Sequence, residues 1–298
     1  MNGPTRLSDR ARGCIFGGAI GDSMGGPFEG QPGPITFAEH SDWRISDDTQ
    51  LTLATCESIV EVGKVSPEHI ASRFVEWYRA RRITRVGSST LKALRDLDAG
   101  QHWALAGAKG EIAAGNGAAM RIAPLAFSLD PKLEQDRQFI RDVSRITHHN
   151  EEAYVGALAI AIAVRSLVSH QVAPTDLLEV VVKDLPDSRV RDRILALEAL
   201  RSEPLSTVAS KFGSSGYVVD SVPLAIFAAR SIDRTPLFDV LRNTIEVGGD
   251  TDTIASMTGQ VAGAWLGASQ IPRKMIASLP NKPDIERIAD DFAKTAKS

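Results

Sequence analysis

Val247-Gly248-Gly249-Asp250-Thr251-Asp252-Thr253-Ile254 opens a long run of small and apolar residues near the C-terminal end of the chain. Two carboxylates, two hydroxyls and two glycines fall within six residues. On a continuous helix Asp250 and Asp252 would point about 200° apart. They converge only if the backbone is still turning, and Gly248-Gly249 permits such a turn through φ values closed to other residues. A helix beginning at about Thr253 would leave both carboxylates aimed at one point ahead of it. Two readings stand side by side for this stretch, an acidic helix cap and one half of a hard-cation site.

The rest of the chain reads as helices. Ala11 to Met24 is rich in small and apolar residues and stops at Gly25-Gly26-Pro27. Residues 47–62 place Leu51, Ala54, Thr55, Ser58, Ile59 and Val62 on one face, ending at Gly63. Ser66-Pro67-Glu68 starts another helix with proline at its tolerated first position. Helical spacing also predicts 88–98, 117–127, 131–146, 150–168, 174–183, 187–200, 220–230, 236–246, 253–267, 272–278 and 283–295. No alternating run with a hairpin turn is found, and no fixed-period repeat. The expectation is an all-α protein forming a single domain over 1–298. Small residues at Ala157–Ala163 and Ala255–Gly267 predict close helix packing.

Composition sets limits on function. The 298 residues carry 43% apolar side chains and a net charge of −3, which gives a real core and no basic field for nucleic acid. Cys14 and Cys56 lie far apart in apolar helical patterns, as buried thiols of a reducing compartment do. The first twelve residues lack a signal-peptide core, and no apolar run approaches the ~20 residues that span a bilayer. These features predict a soluble, cytoplasmic protein. The one basic cluster, Arg79 to Arg85, is read first as a solvated helix end and second as a docking surface for an anion.

Ser46-Asp47-Asp48-Thr49 repeats the opening pattern of hydroxyl, carboxylates and helix start about 200 residues upstream. Burying four like charges together without cations is very costly. If the two helix ends meet, metal is implied. Oxygen donors select Mg²⁺ or Mn²⁺ over Zn²⁺. Two such ions would balance Asp47, Asp48, Asp250 and Asp252, with Glu29 a fifth carboxylate close by.

Six stretches together resemble the ADP-ribosylglycohydrolases, and most of all the bacterial dinitrogenase reductase-activating type. They are Gly21-Asp22-Ser23-Met24-Gly25-Gly26-Pro27-Phe28-Glu29, Ser46-Asp47-Asp48-Thr49, Gly115-Asn116-Gly117-Ala118-Ala119-Met120-Arg121, Thr147-His148, Gly216-Tyr217-Val218-Val219-Asp220-Ser221 and Gly248-Gly249-Asp250-Thr251-Asp252-Thr253. The resemblance implies a compact, orthogonally packed multi-helix domain whose motif loops form a binuclear metal cleft. It implies metal ligands Ser46, Asp47, Asp48, Asp250, Asp252 and Thr253, and two Mg²⁺ or Mn²⁺ ions. Glu29 is the expected general acid/base, with Asp47 the second catalytic carboxylate. Gly115, Asn116, Gly117, Met120, His148 and Tyr217 are the expected ADP-ribose contacts, the glycines through N–H groups at a following helix start and Tyr217 through the adenine. Asp22 and Asp220 are expected to cap or support rather than ligate, and His149 has no assigned role.

The activity so implied is hydrolysis of the C1″ glycosidic bond of an ADP-ribosylated protein or small acceptor by a monomer, with nucleic acid involved only as a modified substrate. Alternatives are a catalytically silent ADP-ribose-binding or crystallin-like relative, and a di-metal hydrolase of another phosphorylated nucleoside. One departure stands out. Arg85 occupies the position where arginine-specific relatives often carry an Asp, and a cation there disfavours a guanidinium leaving group.

Overall fold

The computed structural model of the protein describes residues 6–39, 43–169 and 172–296. Among them run α1 (Leu7–Gly25), α2 (Asp47–Val62), α3 (Pro67–Arg79), α4 (Ser88–Asp98), α5 (Glu134–Arg145), α6 (Glu151–Val168) and α7 (Leu177–Asp184). There follow α8 (Arg189–Glu198), α9 (Leu205–Phe212), α10 (Val218–Ala229), α11 (Leu237–Glu246), α12 (Thr251–Leu266), α13 (Arg273–Ala277) and α14 (Lys282–Thr295). The all-α expectation is met, because most boundaries are written in local chemistry. Ser66 caps α3 by accepting from the His69 N–H, with Pro67 in the first turn. Gly63 ends α2 in the left-handed conformation at φ 72°.

Three elements differ from expectation. Residues 117–127 form two short 3₁₀ pieces, Ala119–Arg121 and Ala123–Phe127, instead of one α-helix. Pro124 has no N–H to continue an α-helical ladder. Helix α9 was not anticipated; its eight residues follow Pro204 and hold only Val208 and Ala209 fully buried, too small an apolar face to show a period. Finally, β1 (Ala108–Lys109) pairs in parallel with β2 (His148–His149), Ala108 opposite His148. Two residues are too few to alternate.

The centre of the molecule is the contact between α1 and α12, which come from opposite ends of the chain and run antiparallel. Gly13, Gly17, Gly21 and Gly25 recur every four residues and so share one stripe of α1. A Cβ on Gly17 would lie 2.1 Å from the carbonyl oxygen of Gly259, and one on Gly259 would lie 2.0 Å from that of Gly17. Gly13 and Gly263 face each other in the same way, at 2.3 and 2.0 Å. Farther along, Gly21 meets Ala255 and Gly25 meets Thr251 and Asp252. Backbone lies on backbone for three turns, with no side chains between.

Around this pair, α6 buries nearly its whole surface and packs on α10 and α12, while α14 closes over α1 and α2. One continuous apolar cluster runs through all of them. The arginine-rich turn after α3 is largely spent on structure. Arg79 pairs with Asp98 at 2.5 Å, while Arg82 pairs with Asp284 and lies 3.4 Å above the Trp77 ring. Cys14 and Cys56 are buried free thiols, as expected. Among the described residues no helix is long and apolar enough to cross a membrane.

Replacing Gly259 with alanine tests the stripe. Intrinsic helix propensity favours alanine by about 1 kcal/mol. A Cβ 2.0 Å from backbone oxygen must instead force α1 and α12 apart, and overpacking of this kind costs about 1–3 kcal/mol or more. The expected net result is a lower urea midpoint for Gly259→Ala than for the parent protein.

Candidate metal centre

The first turns of α2 and α12 meet beside the end of α1. Gly248 and Gly249 both take positive φ, 76° and 84°, the turn that their sequence anticipated. Helix α12 starts at Thr251, two residues earlier than expected, so Asp250 is its N-cap residue and Asp252 lies in its first turn. Because Asp250 stands outside the helix, the divergence of an i, i+2 helical pair does not apply to it. Asp48, Asp250, Asp252 and Thr253 all line one cleft of about 350 Å³, with Asp47 and Glu29.

Each acidic side chain is held differently. Asp22, fully buried on α1, accepts from the Ser46 N–H at 3.0 Å, the Ser46 hydroxyl at 2.9 Å, the Thr49 N–H at 3.2 Å and the Thr49 hydroxyl at 2.5 Å. It therefore caps α2 from outside. Distance alone would make it a ligand, because Asp22, Asp48 and Asp252 offer oxygens within 4.8 Å of one another and could hold a metal ion. Its carboxylate oxygens also carry the four hydrogen bonds of the cap. Ser46 is the N-cap residue of α2, and its hydroxyl sits 2.9 Å from both Asp22 Oδ1 and Asp48 Oδ2. Asp48 Oδ1 is buried with no hydrogen-bond partner among the described residues. Thr253 Oγ1 lies 3.3 Å from Asp48 Oδ2.

Electrostatics set this cluster apart from the rest of the interior. Burial, then the neighbouring Asp22 charge, pushes Asp47 up to about 8, against a hydrogen bond from the Gly87 backbone and the Arg121 charge. Burial raises Asp22 to about 6 despite its four donors. Asp48 and Asp252 are raised well above the carboxylate range, first by burial and then by the other carboxylates. All-oxygen donors, an orphaned buried oxygen and mutually repelling carboxylates together fit a hard divalent cation.

The loops around the cleft are pinned to this centre by backbone. The Glu29 loop is stitched to the glycine turn, Gly30 N–H donating to Gly249 O and Gly249 N–H to Gln31 O, each at 2.8 Å. Glu29 itself is exposed at the cleft and makes no hydrogen bond there among the described residues. Asn116 Nδ2 donates to Asp250 Oδ2 at 2.6 Å, and its N–H donates to Gly216 O.

Gly115, Asn116, Gly117, Met120 and His148 line the cleft as expected, but the proposed anion cradle needs correction. Gly115–Gly117 precedes a single 3₁₀ turn, not a long helix, and the Asn116 N–H is already used. Tyr217 is half-buried at the N-cap of α10, with Gly115 bridged to it, and its hydroxyl lies 3.4 Å from Arg189, off the cleft's lining. Asp220 bonds Ser215 and Arg193, away from the cleft. His149 stands outside it too. Arg85 does line it, its guanidinium 3.4 Å from Gly26 O. Sequence reasoning gave no role to Ile112 or Arg121; Ile112 is 88% exposed yet lines the cleft.

The sequence profile of the ADP-ribosylglycohydrolase family matches residues 3–298. The chain belongs to this family. Relatives within it include ADP-ribosylhydrolase ARH3 of Gallus gallus, 27% identical over 97% of this chain and 91% of that protein. ADP-ribosylarginine hydrolase Tri1 of Pseudomonas putida is 28% identical, covering 97% of this chain and 79% of its own. A solved ADP-ribosylglycohydrolase-related protein complex superposes with a TM-score of 0.68 at 26% identity, covering 98% of this chain and 99% of that one.

The pH dependence of stability follows with its sign. Asp47 and Asp22 bind protons more tightly folded, at about 8 and about 6, than at their ordinary 3.8. The metal-free protein then holds more protons folded than unfolded between about pH 4 and 8, so its stability falls as pH rises through that window. Thermal melts in chelator should show Tm dropping from pH 5 to pH 8, and millimolar Mg²⁺ or Mn²⁺ should remove most of the drop. A flat profile in chelator would count against the charge cluster.

Proposed function

We propose that this protein is a metal-dependent ADP-ribosyl hydrolase, a single domain that cleaves the C1″ glycosidic bond of an ADP-ribosylated acceptor and releases ADP-ribose. The observation that carries the reading is the convergence of Asp48, Asp250, Asp252 and Thr253 with Asp47 on one cleft that Glu29 also lines. The family match and the names of the relatives support the chemistry.

Ser46, Asp47, Asp48, Asp250, Asp252 and Thr253 would hold two divalent cations, Mg²⁺ or Mn²⁺, with Asp22 bracing Ser46 and the start of α2. Such ions, when bound, supply Lewis acidity toward sugar hydroxyls and lower the pKa of water. The chain's own groups account for the rest. Glu29, exposed and unencumbered, is free to exchange a proton with the leaving group or the attacking water. Departure of the acceptor builds oxocarbenium-like positive charge on the ribose, which an acidic cleft stabilises. Gly115, Asn116, Gly117, Met120 and His148 form the wall on which the ADP-ribosyl group lies, and Tyr217, outside the lining, is joined to that wall by its backbone bridge to Gly115. Arg85, a cation on the same cleft, favours an acceptor other than a guanidinium, in contrast to the arginine linkage named for Tri1. Two buried free thiols and the lack of a membrane-crossing helix among the described residues are consistent with a cytoplasmic enzyme.

The test is a linkage panel of arginine-, serine- and nucleic-acid-linked ADP-ribose, each with Mg²⁺, Mn²⁺ or chelator. Free ADP-ribose should appear from a non-arginine linkage and only with metal. Asp252→Ala should abolish release; full activity in that variant refutes the ligand assignment. Glu29→Gln should lower kcat by about 10²–10⁴-fold, the usual share of a general acid/base, with KM little changed.

A further inference from the structure

Behind the cleft wall a chain of three polar side chains runs from the carboxylate cluster to His148. Arg121 is fully buried. Of its three guanidinium nitrogens, Nη1 donates to the Gly117 carbonyl and Nη2 to Thr147 Oγ1 at 2.6 Å and to Val143 O at 3.4 Å, while Nε has no partner among the described residues. Its ring partner is Phe74, 5.2 Å away, and its charge bears on Asp47. Thr147 Oγ1 in turn lies 2.7 Å from His148 Nδ1.

The protons in this chain can be placed by counting donors. A guanidinium only donates, so Thr147 Oγ1 must accept from Arg121. The Thr147 hydroxyl has one proton left to give. Thr147 is 0% exposed, and its hydroxyl meets no acceptor among the described residues other than His148 Nδ1. Were Nδ1 protonated, the hydroxyl proton would be buried unpaired, which folded proteins avoid. The hydroxyl therefore donates to Nδ1, and the imidazole proton resides on Nε2. That atom has no partner among the described residues, and His148 lines the cleft. The ring is seated by glycine: a Cβ on Gly117 would come within 2.8 Å of His148 Cε1. Burial, reinforced by the Arg121 charge, pushes the imidazole down to about 3, so the ring stays neutral across the working pH range.

We propose that Arg121 is a positioning residue that, through Thr147, locks His148 as the Nε2–H tautomer and makes it a fixed hydrogen-bond donor to an oxygen of the bound ADP-ribosyl group. The ligand's identity rests on the function proposed above; the tautomer lock does not. His148 then serves as an electrically neutral, permanently oriented donor and takes no part in proton transfer.

Long-range ¹H–¹⁵N correlation spectra of the ¹⁵N-histidine-labelled full chain, without substrate, read the lock directly. The expected pattern for His148 is an unprotonated Nδ1 and a protonated Nε2, unchanged from pH 5 to pH 8. A protonated Nδ1, or an imidazolium in that range, overturns the proposal. Thr147→Val should lose the single-tautomer signature and weaken ADP-ribose binding by about tenfold, the scale of one hydrogen bond, and Thr147→Ser should restore both. A valine variant with the parent tautomer and affinity overturns the relay. Should that variant fail to fold, the wild-type spectrum still decides. A locked tautomer in a protein with no affinity for ADP-ribose would uphold the relay and overturn only the assigned ligand.

Discussion

Everything at the centre of this protein depends on the absence of Cβ atoms between α1 and α12. With glycine on both sides at Gly13–Gly263 and Gly17–Gly259, and on α1 alone at Gly21 and Gly25, the two backbones meet closely over three turns. That approach sets Asp22 and Asp252 side by side, because each belongs to a helix whose position leaves no slack. Asp22 then organises α2 by capping its first turn through Ser46 and Thr49. Three helix ends are thus brought to one point by sterics first and hydrogen bonds second. The apolar interior contributes stability around them, but the glycine stripe fixes the geometry.

The charge held at that point works against the fold. Four raised carboxylates in a largely apolar surrounding are a local conflict of the kind that proteins accept where function requires it. The surrounding structure absorbs it in separate ways. Arg121 supplies a buried positive charge to Asp47, Asn116 braces Asp250, and the Gly87 backbone donates to Asp47. Among the described residues Asp48 Oδ1 finds no hydrogen-bond partner. The same arginine reaches the opposite wall at His148, so the anionic and neutral sides of the cleft share a single buried cation.

Legibility in the sequence followed the range of the forces involved. Helices were readable wherever a full apolar face or a cap was local, as in α2, α3 and α4. The stretch 117–127 misled because its apolar residues are spaced like a helix while Pro124 and tight 3₁₀ turns dictate otherwise. The acidic motifs and their use of Gly248-Gly249 were readable from residue chemistry, and the resemblance supplied what they are for. The four-residue spacing of Gly13, Gly17, Gly21 and Gly25 stands in the sequence, but nothing local names α12 as its partner. Arg121 was hidden for a similar reason, since its three acceptors are carbonyls and a hydroxyl whose arrangement only the folded chain creates. The cleft wall at Gly115–Gly117 was found by likeness, while its physical basis proved to be room for an imidazole ring.

The pairing of Gly17 with Gly259 joins the first helix to one near the end of the chain. During synthesis α1 emerges early with its glycine stripe and Asp22 exposed, and it has no surface to bury that stripe against until α12 has left the ribosome. Closing so long a loop is slow relative to the local helices forming meanwhile. The α12 carboxylates can therefore join those of α1 and α2 only once α12 itself has been made. Assembly order spares the nascent protein its most repulsive cluster until the elements that restrain it are present.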